Sequence, residues 1–469
     1  MDEPEILERA VHIIKTGDFN PHFFDYPSLY IYLQALVAIP RFIWGALSGE
    51  WSTLASAPTS AFYVWARAVT ATLGTATVYL VYRCARRWDE PTALVAAGIM
   101  AVVPLHVRES HFALTDVPVT FFVALTWLLS LAAHRRPAAW RFVVAGAAAG
   151  LATATKWNAV FAIVMPLLAC TAPVMRRSRL QAVAIVGGAC GAAFLIATPY
   201  TVLDLPAFLD GFARLAAAYK GPSPAQAPAI TYAKHLRNAV GWPAVLFGVA
   251  GLLLGIVRIV RGPDRTQWAL AILFPVVYYV FIARQHIVFA RYLLPAVPFV
   301  AVLGAAAIVA AWRWIGARSP RAALVVAAVL VAAAVVPGAA TALQFDQEIS
   351  RTWTSELAYR WILNNVPPGS RIVIESRNLL LPTGYEASNV PQLRQQSLDA
   401  YRTKGVSYLV ASSQCYGPYL ASPALDAAAY ADYIRLFRST EELARFTPSK
   451  QHPGSELRIL KVPPASGRE

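Results

Sequence analysis

Charged residues are scarce in this chain of 469 residues: they make up 14% of it, whereas hydrophobic residues make up 57%. Soluble domains average about 25% charged and about 45–50% apolar residues, so the composition excludes an ordinary soluble protein. Cysteine is rare as well. Cys84, Cys170, Cys190 and Cys415 are scattered, and their spacing predicts neither a disulfide framework nor a cysteine metal site.

The apolar residues are gathered in long runs, which is typical of a polytopic membrane protein. Crossing the hydrocarbon takes roughly 20 residues, and the shorter runs must therefore use flanking residues or line a cavity. Ten spans are predicted, and they cover residues 60–82, 92–107, 117–133, 142–155, 157–174, 181–198, 241–260, 268–283, 292–312 and 322–343.

The net charge of +15 does not indicate a nucleic-acid partner, because the arginines cluster in short loops between apolar runs. If residues 29–47 form an interfacial helix instead of a span, five alternate loops each carry three arginines and face the cytoplasm. These residues are Arg83, Arg86, Arg87, Arg135, Arg136, Arg141, Arg176, Arg177, Arg179, Arg258, Arg261, Arg265, Arg313, Arg318 and Arg321. Met1 and the tail from about residue 344 then lie outside.

An outer N-terminus needs a preceding helix to deliver it, so we expect one more spanning helix upstream of Met1 in the gene product. The alternative is a short translocated N-terminus.

This topology gathers polar residues on the outer side, where ionisable groups at membrane depth tend to mark a substrate path. They are Asp2, Glu3, Arg108, Glu109, His111, Asp116, Lys156, Arg284, His286 and Arg291, together with the polar residues of the 199–238 loop. Each has a simpler explanation when it is taken alone. Asp2 and Asp116 suit helix starts, each being followed by a proline, and Lys156 suits snorkelling. Arg67, inside the first span, suits either pairing with a buried group or snorkelling.

Six segments carry a resemblance in their order along the chain. They are DEPEILERAVHIIKTGDFNPHFFDYPSLYIYL, RESHFALTDVPVTFFVAL, GLATATKWNAVF, ATPYTVLD, FARYLLPAVPFV and AYRWILNNVPPGSRIVIES. In this order they resemble membrane glycosyltransferases of the GT-C superfamily, and most of all the family 39 group of protein O-mannosyltransferases and aminoarabinose transferases. The chain departs from that pattern at its start, where the first helix is missing.

The resemblance implies an all-α polytopic membrane domain of GT-C type over residues 1–343, with about ten spans plus the interfacial helix. Residues 1–58 hold the first outer loop. It also implies a small extracytoplasmic α/β domain over residues 344–469. RIVIES, VSYLVASS and LRILKV are β-like runs in this tail. A structural cap and acceptor recognition through Tyr385, Glu386 and the loop around Tyr416 are the two interpretations of the tail.

The chemistry implied is an inverting sugar transfer from a polyprenyl-phosphate carrier to an acceptor hydroxyl on the outer face of the inner (plasma) membrane. Asp2 is the expected catalytic base, and Asp116 positions the acceptor or helps to bind a cation. The expected substrate-binding residues are Glu3, Arg108, His111, Lys156, His286, Arg291 and Tyr292. No cofactor is certain and a divalent metal stays open.

The expected partners are the lipid-linked sugar donor, membrane lipid, and an acceptor that is a protein, a lipid or a glycan. A transporter and a surface-glycan polymerase or ligase are the competing functions. A non-catalytic scaffold is the weakest alternative, because it does not need Asp2 and Asp116 on one face.

Overall fold

The structure is a computed structural model that describes residues 3–172, 178–219, 227–375, 379, 381 and 384–464. Of the residues singled out in the sequence, Asp2, Arg176 and Arg177 lie outside the described residues. The described residues form two compact units that divide between Ala342 and Leu343. We call them the N-terminal unit and the C-terminal unit.

The N-terminal unit is helical. Its helices are α1 (Glu3–Thr16), α2 (Leu29–Leu47), α3 (Tyr63–Ala85), α4 (Glu90–Ala101), α5 (Pro104–Ser110), α6 (Asp116–Arg135), α7 (Ala139–Thr155), α8 (Val164–Ala169), α9 (Arg179–Ala197), α10 (Tyr200–Leu203), α11 (Leu205–Ala218), α12 (Pro228–Val240), α13 (Trp242–Arg261), α14 (Arg265–Ile282) and α15 (Val297–Gly316). Helix α16 (Pro320–Ile349) belongs to this unit as far as Ala342, and its last residues belong to the C-terminal unit. Short 3₁₀ segments are Thr59–Phe62, Trp157–Ile163 and Ala290–Ala296.

Eight helical stretches of the described residues are long and apolar enough to cross a membrane, fewer than the ten predicted. The predicted span 92–107 is broken, because α4 and α5 meet at an angle of 58° where Pro104 starts a new helix. The predicted spans 142–155 and 157–174 correspond to α7 and to the short apolar helix Trp157–Ala169. Lys156 separates these two helices with an extended backbone.

Helix α2 is among the eight by its length and composition. Its predicted position in the membrane interface stays a prediction.

Helix ends rich in arginine meet at one end of the N-terminal unit. The Arg135 guanidinium donates to the Arg87 carbonyl oxygen at 2.5 Å and to Gln267 Oε1 at 2.9 Å. Arg313 pairs with Asp89 at 2.9 Å. The loops after α3, α6 and α15 therefore lie together, which is the arrangement that the charge pattern predicts. Which side of a membrane this end faces stays a prediction.

Small residues allow the helices of this unit to approach closely. On α13, Gly248, Gly251 and Gly255 face neighbouring helices, and a Cβ at Gly248 would lie 2.8 Å from Val300 Cγ1 of α15. A Cβ at Gly251 would overlap the Leu303 carbonyl oxygen. In lipid, where burial of apolar surface gives no net drive, such close packing holds helices together.

Gly251→Ala is therefore expected to destabilise the protein by roughly 1–3 kcal/mol, because the added methyl group forces α13 away from α15. Thermal unfolding of the purified protein in detergent measures the effect. Gly188→Ala on α9 is the matched control, since nothing lies within 4 Å of the position that its added methyl group would take. Equal unfolding temperatures for the two variants would contradict close packing of α13 against α15.

The C-terminal unit is a small α/β domain. Its helices after α16 are α17 (Thr354–Asn365), α18 (Leu398–Thr403), α19 (Ser413–Ala421) and α20 (Ala427–Arg438). Its strands are β1 (Arg371–Glu375), β2 (Glu386–Val390), β3 (Tyr408–Ser412), β4 (Glu441–Phe446) and β5 (Leu457–Lys461), and the sheet order is β2-β1-β3-β5-β4. Strands β2, β1 and β3 are parallel, whereas β5 is antiparallel to β3 and β4.

The predicted fold class is thus confirmed: a polytopic helical domain is followed by a small α/β domain. The three central strands are those that the apolar runs predicted. The edge strands β2 and β4 were not predicted, because their side chains are largely exposed and polar.

Candidate active site

Asp116 is the first residue of α6, and Pro118 in the first turn favours a helix start there. Its side chain is buried, with 2% of the residue exposed. The carboxylate does not cap the helix. Instead, Asp116 Oδ1 lies 2.6 Å from Lys156 Nζ, so the simpler explanation as a cap does not apply.

Lys156 reaches Asp116 because α7 ends at Thr155 and the chain extends for one residue before the next helical turn. Lys156 is 5% exposed, which excludes snorkelling to solvent. Its ammonium group lies 4.4 Å from the ring centre of Tyr292 and 5.8 Å from that of Tyr26. An ion pair and two aromatic faces therefore hold this buried cation in place.

Arg291 provides a second cation on the other oxygen of Asp116, with Nε 3.7 Å from Oδ2. The 3₁₀ segment Ala290–Ala296 carries it beside Tyr292. The Tyr278 hydroxyl donates to the Tyr292 carbonyl oxygen at 2.9 Å, and the hydroxyls of Tyr292 and Tyr219 are 2.7 Å apart. The structure thus brings together four predicted residues, of which three are buried and Arg291 is partly buried. We call this group the Asp116 cluster, and its members are Asp116, Lys156, Arg291 and Tyr292.

Glu109 belongs to the same region, although the sequence predicted no role for it. It is 5% exposed, lies 3.7 Å from Arg108 Nε, and is within electrostatic range of Asp116, Lys156 and Arg291. Among the described residues of this region, the cations are Arg108, Lys156 and Arg291, and the carboxylates are Glu109 and Asp116. One positive charge is therefore in excess. Two acidic residues seven positions apart in one short loop are the signal that could have found it.

Glu3 fixes the start of α1 against two distant parts of the chain. Its Oε1 accepts from Arg67 Nε at 2.9 Å and from the Ala113 backbone N–H at 2.7 Å, and its Oε2 accepts from Arg67 Nη2 at 2.7 Å. Of the two interpretations of Arg67, pairing with a buried group is therefore correct. Ala113 precedes Asp116 by three residues. Glu3 therefore connects the start of the predicted first outer loop (residues 1–58) to the loop that leads into the Asp116 cluster.

Glu3→Gln is expected to destabilise the fold by roughly 1–3 kcal/mol, because it weakens a two-pronged pair whose carboxylate is almost fully buried. Arg67 is 44% exposed, which keeps the effect below that of a fully buried pair. Denaturation of the purified protein in detergent measures it. Glu356→Gln removes the exposed Glu356–Arg360 pair and is the control, with an expected loss below about 1 kcal/mol. Losses of the same size for both variants would contradict the anchoring role of Glu3.

The other predicted site residues contact the backbone or lie at the edge. His111 Nδ1 is 2.8 Å from the Val107 carbonyl oxygen. His286 Nδ1 is 3.0 Å from the Tyr219 carbonyl oxygen, so His286 approaches the cluster only through Tyr219. Arg108 is half-exposed beside Glu109. The substrate roles of these three residues stay predictions.

Within the described part of the chain, no group of three or more His, Cys, Asp or Glu side chains could hold a metal ion. The divalent metal remains an open alternative.

Comparisons with known proteins give a family match and a shared fold. A family model described as dolichyl-phosphate-mannose-protein mannosyltransferase matches residues 25–210, which include Asp116 and Lys156. No curated protein sequence gives a significant match.

Solved structures share the fold. ArnT from Cupriavidus metallidurans in the apo state is 13% identical, with a TM-score of 0.59 over 100% of this chain and 95% of that one. ArnT from the same organism bound to undecaprenyl phosphate gives 0.58 with the same identity and coverage. An oligosaccharyltransferase from Archaeoglobus fulgidus, in complex with Zn and sulfate, is 14% identical and gives 0.50 over 96% of this chain and 68% of that one. The chain is therefore similar to this mannosyltransferase family over residues 25–210, and it shares the fold of ArnT over its full length.

Proposed function

We propose that this chain is a membrane glycosyltransferase that moves a sugar from a polyprenyl-phosphate carrier to an acceptor hydroxyl at the outer face of the inner membrane. The observation that carries the proposal is the Asp116 cluster, where Lys156 and Arg291 flank a buried carboxylate and a positive charge is in excess. A lipid-linked phosphate is the anion expected at such a site. The matched family is named for a dolichyl-phosphate sugar, and ArnT has been solved with undecaprenyl phosphate.

Lys156 and Arg291 stabilise the leaving phosphate. A buried cation acts on a developing negative charge far more strongly than it does in water. An ammonium group has three N–H donors and Asp116 engages one, so the chemistry of the lysine side chain allows further donation to a phosphate oxygen. Arg291 adds a planar group suited to bidentate phosphate binding. Asp116 orients both cations and contributes to the acceptor side of the site.

Asp2 acts as the base in this proposal. The acceptor oxygen attacks the anomeric carbon on the face opposite the phosphate, and the hydroxyl proton passes to the Asp2 carboxylate. The bond between the anomeric carbon and the phosphate oxygen breaks, and the lipid leaves as a monophosphate. The configuration of the sugar is thereby inverted. Support for Asp2 comes from its neighbour in sequence, Glu3, whose carboxylate binds the backbone three residues before Asp116.

The same proposal includes the domain organisation and the acceptor. Residues 1–343 form the transferase domain, with the first outer loop in residues 1–58, and residues 344–469 form an extracytoplasmic domain. The acceptor hydroxyl belongs to a protein, a lipid or a glycan.

Transfer from defined donors tests the proposed function. The full-length protein in lipid nanodiscs is given radiolabelled mannose, glucose or aminoarabinose on undecaprenyl phosphate, with washed bacterial envelopes as the acceptor source. Label is expected in the envelope fraction for at least one donor, and none from the matching nucleotide sugars. Transfer from a nucleotide sugar alone would contradict the proposal.

A further inference from the structure

The C-terminal unit contains an open groove of about 450 Å³ that the proposed transfer does not use. The polar side chains that line it belong to Gln344, Gln347, Glu348, Arg351, Ser449 and Lys450. All of these residues belong to one compact unit, and two of them are cationic.

One wall of the groove is a single helix face. Gln344, Gln347 and Glu348 lie in the last two turns of α16 at spacings of three and four residues, so their side chains project in one direction. Arg351 continues this face by one more turn, and its backbone N–H donates to the Glu348 carbonyl oxygen at 3.2 Å.

The opposite wall is a loop held by several hydrogen bonds. The Arg351 guanidinium donates to the Lys450 carbonyl oxygen at 2.5 Å, and the Thr354 backbone N–H donates to the Pro453 carbonyl oxygen at 2.9 Å. Gly454 follows with φ +124°, and a Cβ there would overlap Thr354 Oγ1. The loop therefore has a defined shape, and the groove exists before any ligand binds.

The position of the groove along α16 indicates its environment. The apolar run of α16 extends from Ala322 to Leu343, which is 22 residues or roughly 33 Å of helix. The hydrocarbon core is about 30 Å thick, so Gln344 and the turns after it lie at the level of the lipid headgroups.

We propose that this groove binds the phosphate of an anionic phospholipid headgroup. Arg351 and Lys450 supply the charge, and an arginine that already donates to one carbonyl oxygen still has further N–H donors in its fork. The side-chain amides of Gln344 and Gln347 and the Ser449 hydroxyl supply neutral donors, while Glu348 accepts from the hydroxyls of a glycerol headgroup. The groove shares no residue with the Asp116 cluster, and its proposed role does not depend on the proposed transfer.

Lipid retention measures this binding. The full-length protein is purified from nanodiscs of mixed phosphatidylcholine and phosphatidylglycerol, and native mass spectrometry counts the lipids that stay bound. Wild type is expected to retain phosphatidylglycerol preferentially. The variant Arg351→Gln/Lys450→Gln is expected to lose that preference by roughly 10-fold, since each surface cation contributes to anionic-lipid binding.

Matched variants keep the test decisive. Arg438→Gln/Lys461→Gln removes the same charge from positions elsewhere in this unit and is expected to retain lipid as wild type does. Lys450→Glu leaves the Lys450 carbonyl oxygen in place for Arg351 and is expected to lose lipid while unfolding at the wild-type temperature. Unchanged retention in both groove variants would overturn the proposal. Displacement of the bound lipid by millimolar glycerol phosphate would also overturn the proposal, because the groove would then be a site for soluble anions.

Discussion

Asp2→Asn is expected to lower the rate of sugar transfer by roughly 10²–10⁴-fold while leaving the affinity for undecaprenyl phosphate nearly unchanged. An acceptor hydroxyl is a weak nucleophile unless a carboxylate takes its proton, and the amide of asparagine cannot do so. In the proposed mechanism, the lipid phosphate is held by Lys156 and Arg291 instead, and the substitution does not alter their ion pairs with Asp116. Single-turnover transfer and equilibrium binding of undecaprenyl phosphate, measured on one preparation, separate the two effects.

Asp18→Asn is the matched control for Asp2→Asn. Asp18 also lies in the predicted first outer loop (residues 1–58), but its carboxylate is half-exposed and pairs with His22 at 2.9 Å. The hydrogen bond from His22 holds the pKa of Asp18 below its usual range, as expected of a surface ion pair. Transfer by Asp18→Asn is expected to equal that of wild type. Wild-type turnover by Asp2→Asn would remove Asp2 from the mechanism.

Lys156→Met is expected to weaken undecaprenyl phosphate binding and to lower the rate of transfer by roughly 10²–10³-fold. Methionine has a similar length but no charge, so the leaving phosphate loses the cation that lies within 2.6 Å of Asp116. Because the lysine acts on the departing phosphate, both the affinity for the lipid and the rate of the chemical step should decrease. In Asp2→Asn, by contrast, the affinity should stay nearly unchanged. The affinity for undecaprenyl phosphate and the single-turnover rate are the two measurements.

Among the described residues, loss of Lys156 leaves the buried Asp116 carboxylate with the longer ion pair to Arg291, and we expect this to destabilise the fold. The double variant Asp116→Asn/Lys156→Met removes both charges and should recover stability but not activity. Lys404→Met in the C-terminal unit controls for the loss of one lysine charge. Recovery of transfer by the double variant would show that the pair is structural, and would contradict its proposed contact with the donor.

The sequence predicted the fold well where one physical signal dominates. Long apolar runs gave most of the spanning helices, and the β-branched runs RIVIES and LRILKV gave central strands of the small sheet. The prediction from sequence failed where a break between two helices depends on a single residue. The run from 142 to 174 reads as two spans by hydropathy, but Lys156 turns towards Asp116 there and leaves helices too short to count.

The sequence predicted several residues of the candidate site, but it did not predict which of them contact one another. Charge parity placed Asp116, Lys156 and Arg291 on one side, yet a pattern of charges contains no information on which of them pair. The Glu3–Arg67 pair joins residues 64 positions apart, and the sequence left both pairing and snorkelling of Arg67 open. Glu109 was among the outer polar residues but received no role, because the sequence does not show that its side chain is buried.

A donor labelled with ³H in the sugar and ³²P in the phosphate tests the central claim most directly. The wild-type protein in sealed vesicles receives this undecaprenyl-phosphate sugar together with envelope acceptor. The proposed chemistry predicts that ³H appears in the acceptor while ³²P stays in the lipid as undecaprenyl monophosphate. Movement of both labels across the vesicle membrane on intact donor would indicate a transporter, and both labels joined in the acceptor would indicate sugar-phosphate transfer; either result would contradict the claim.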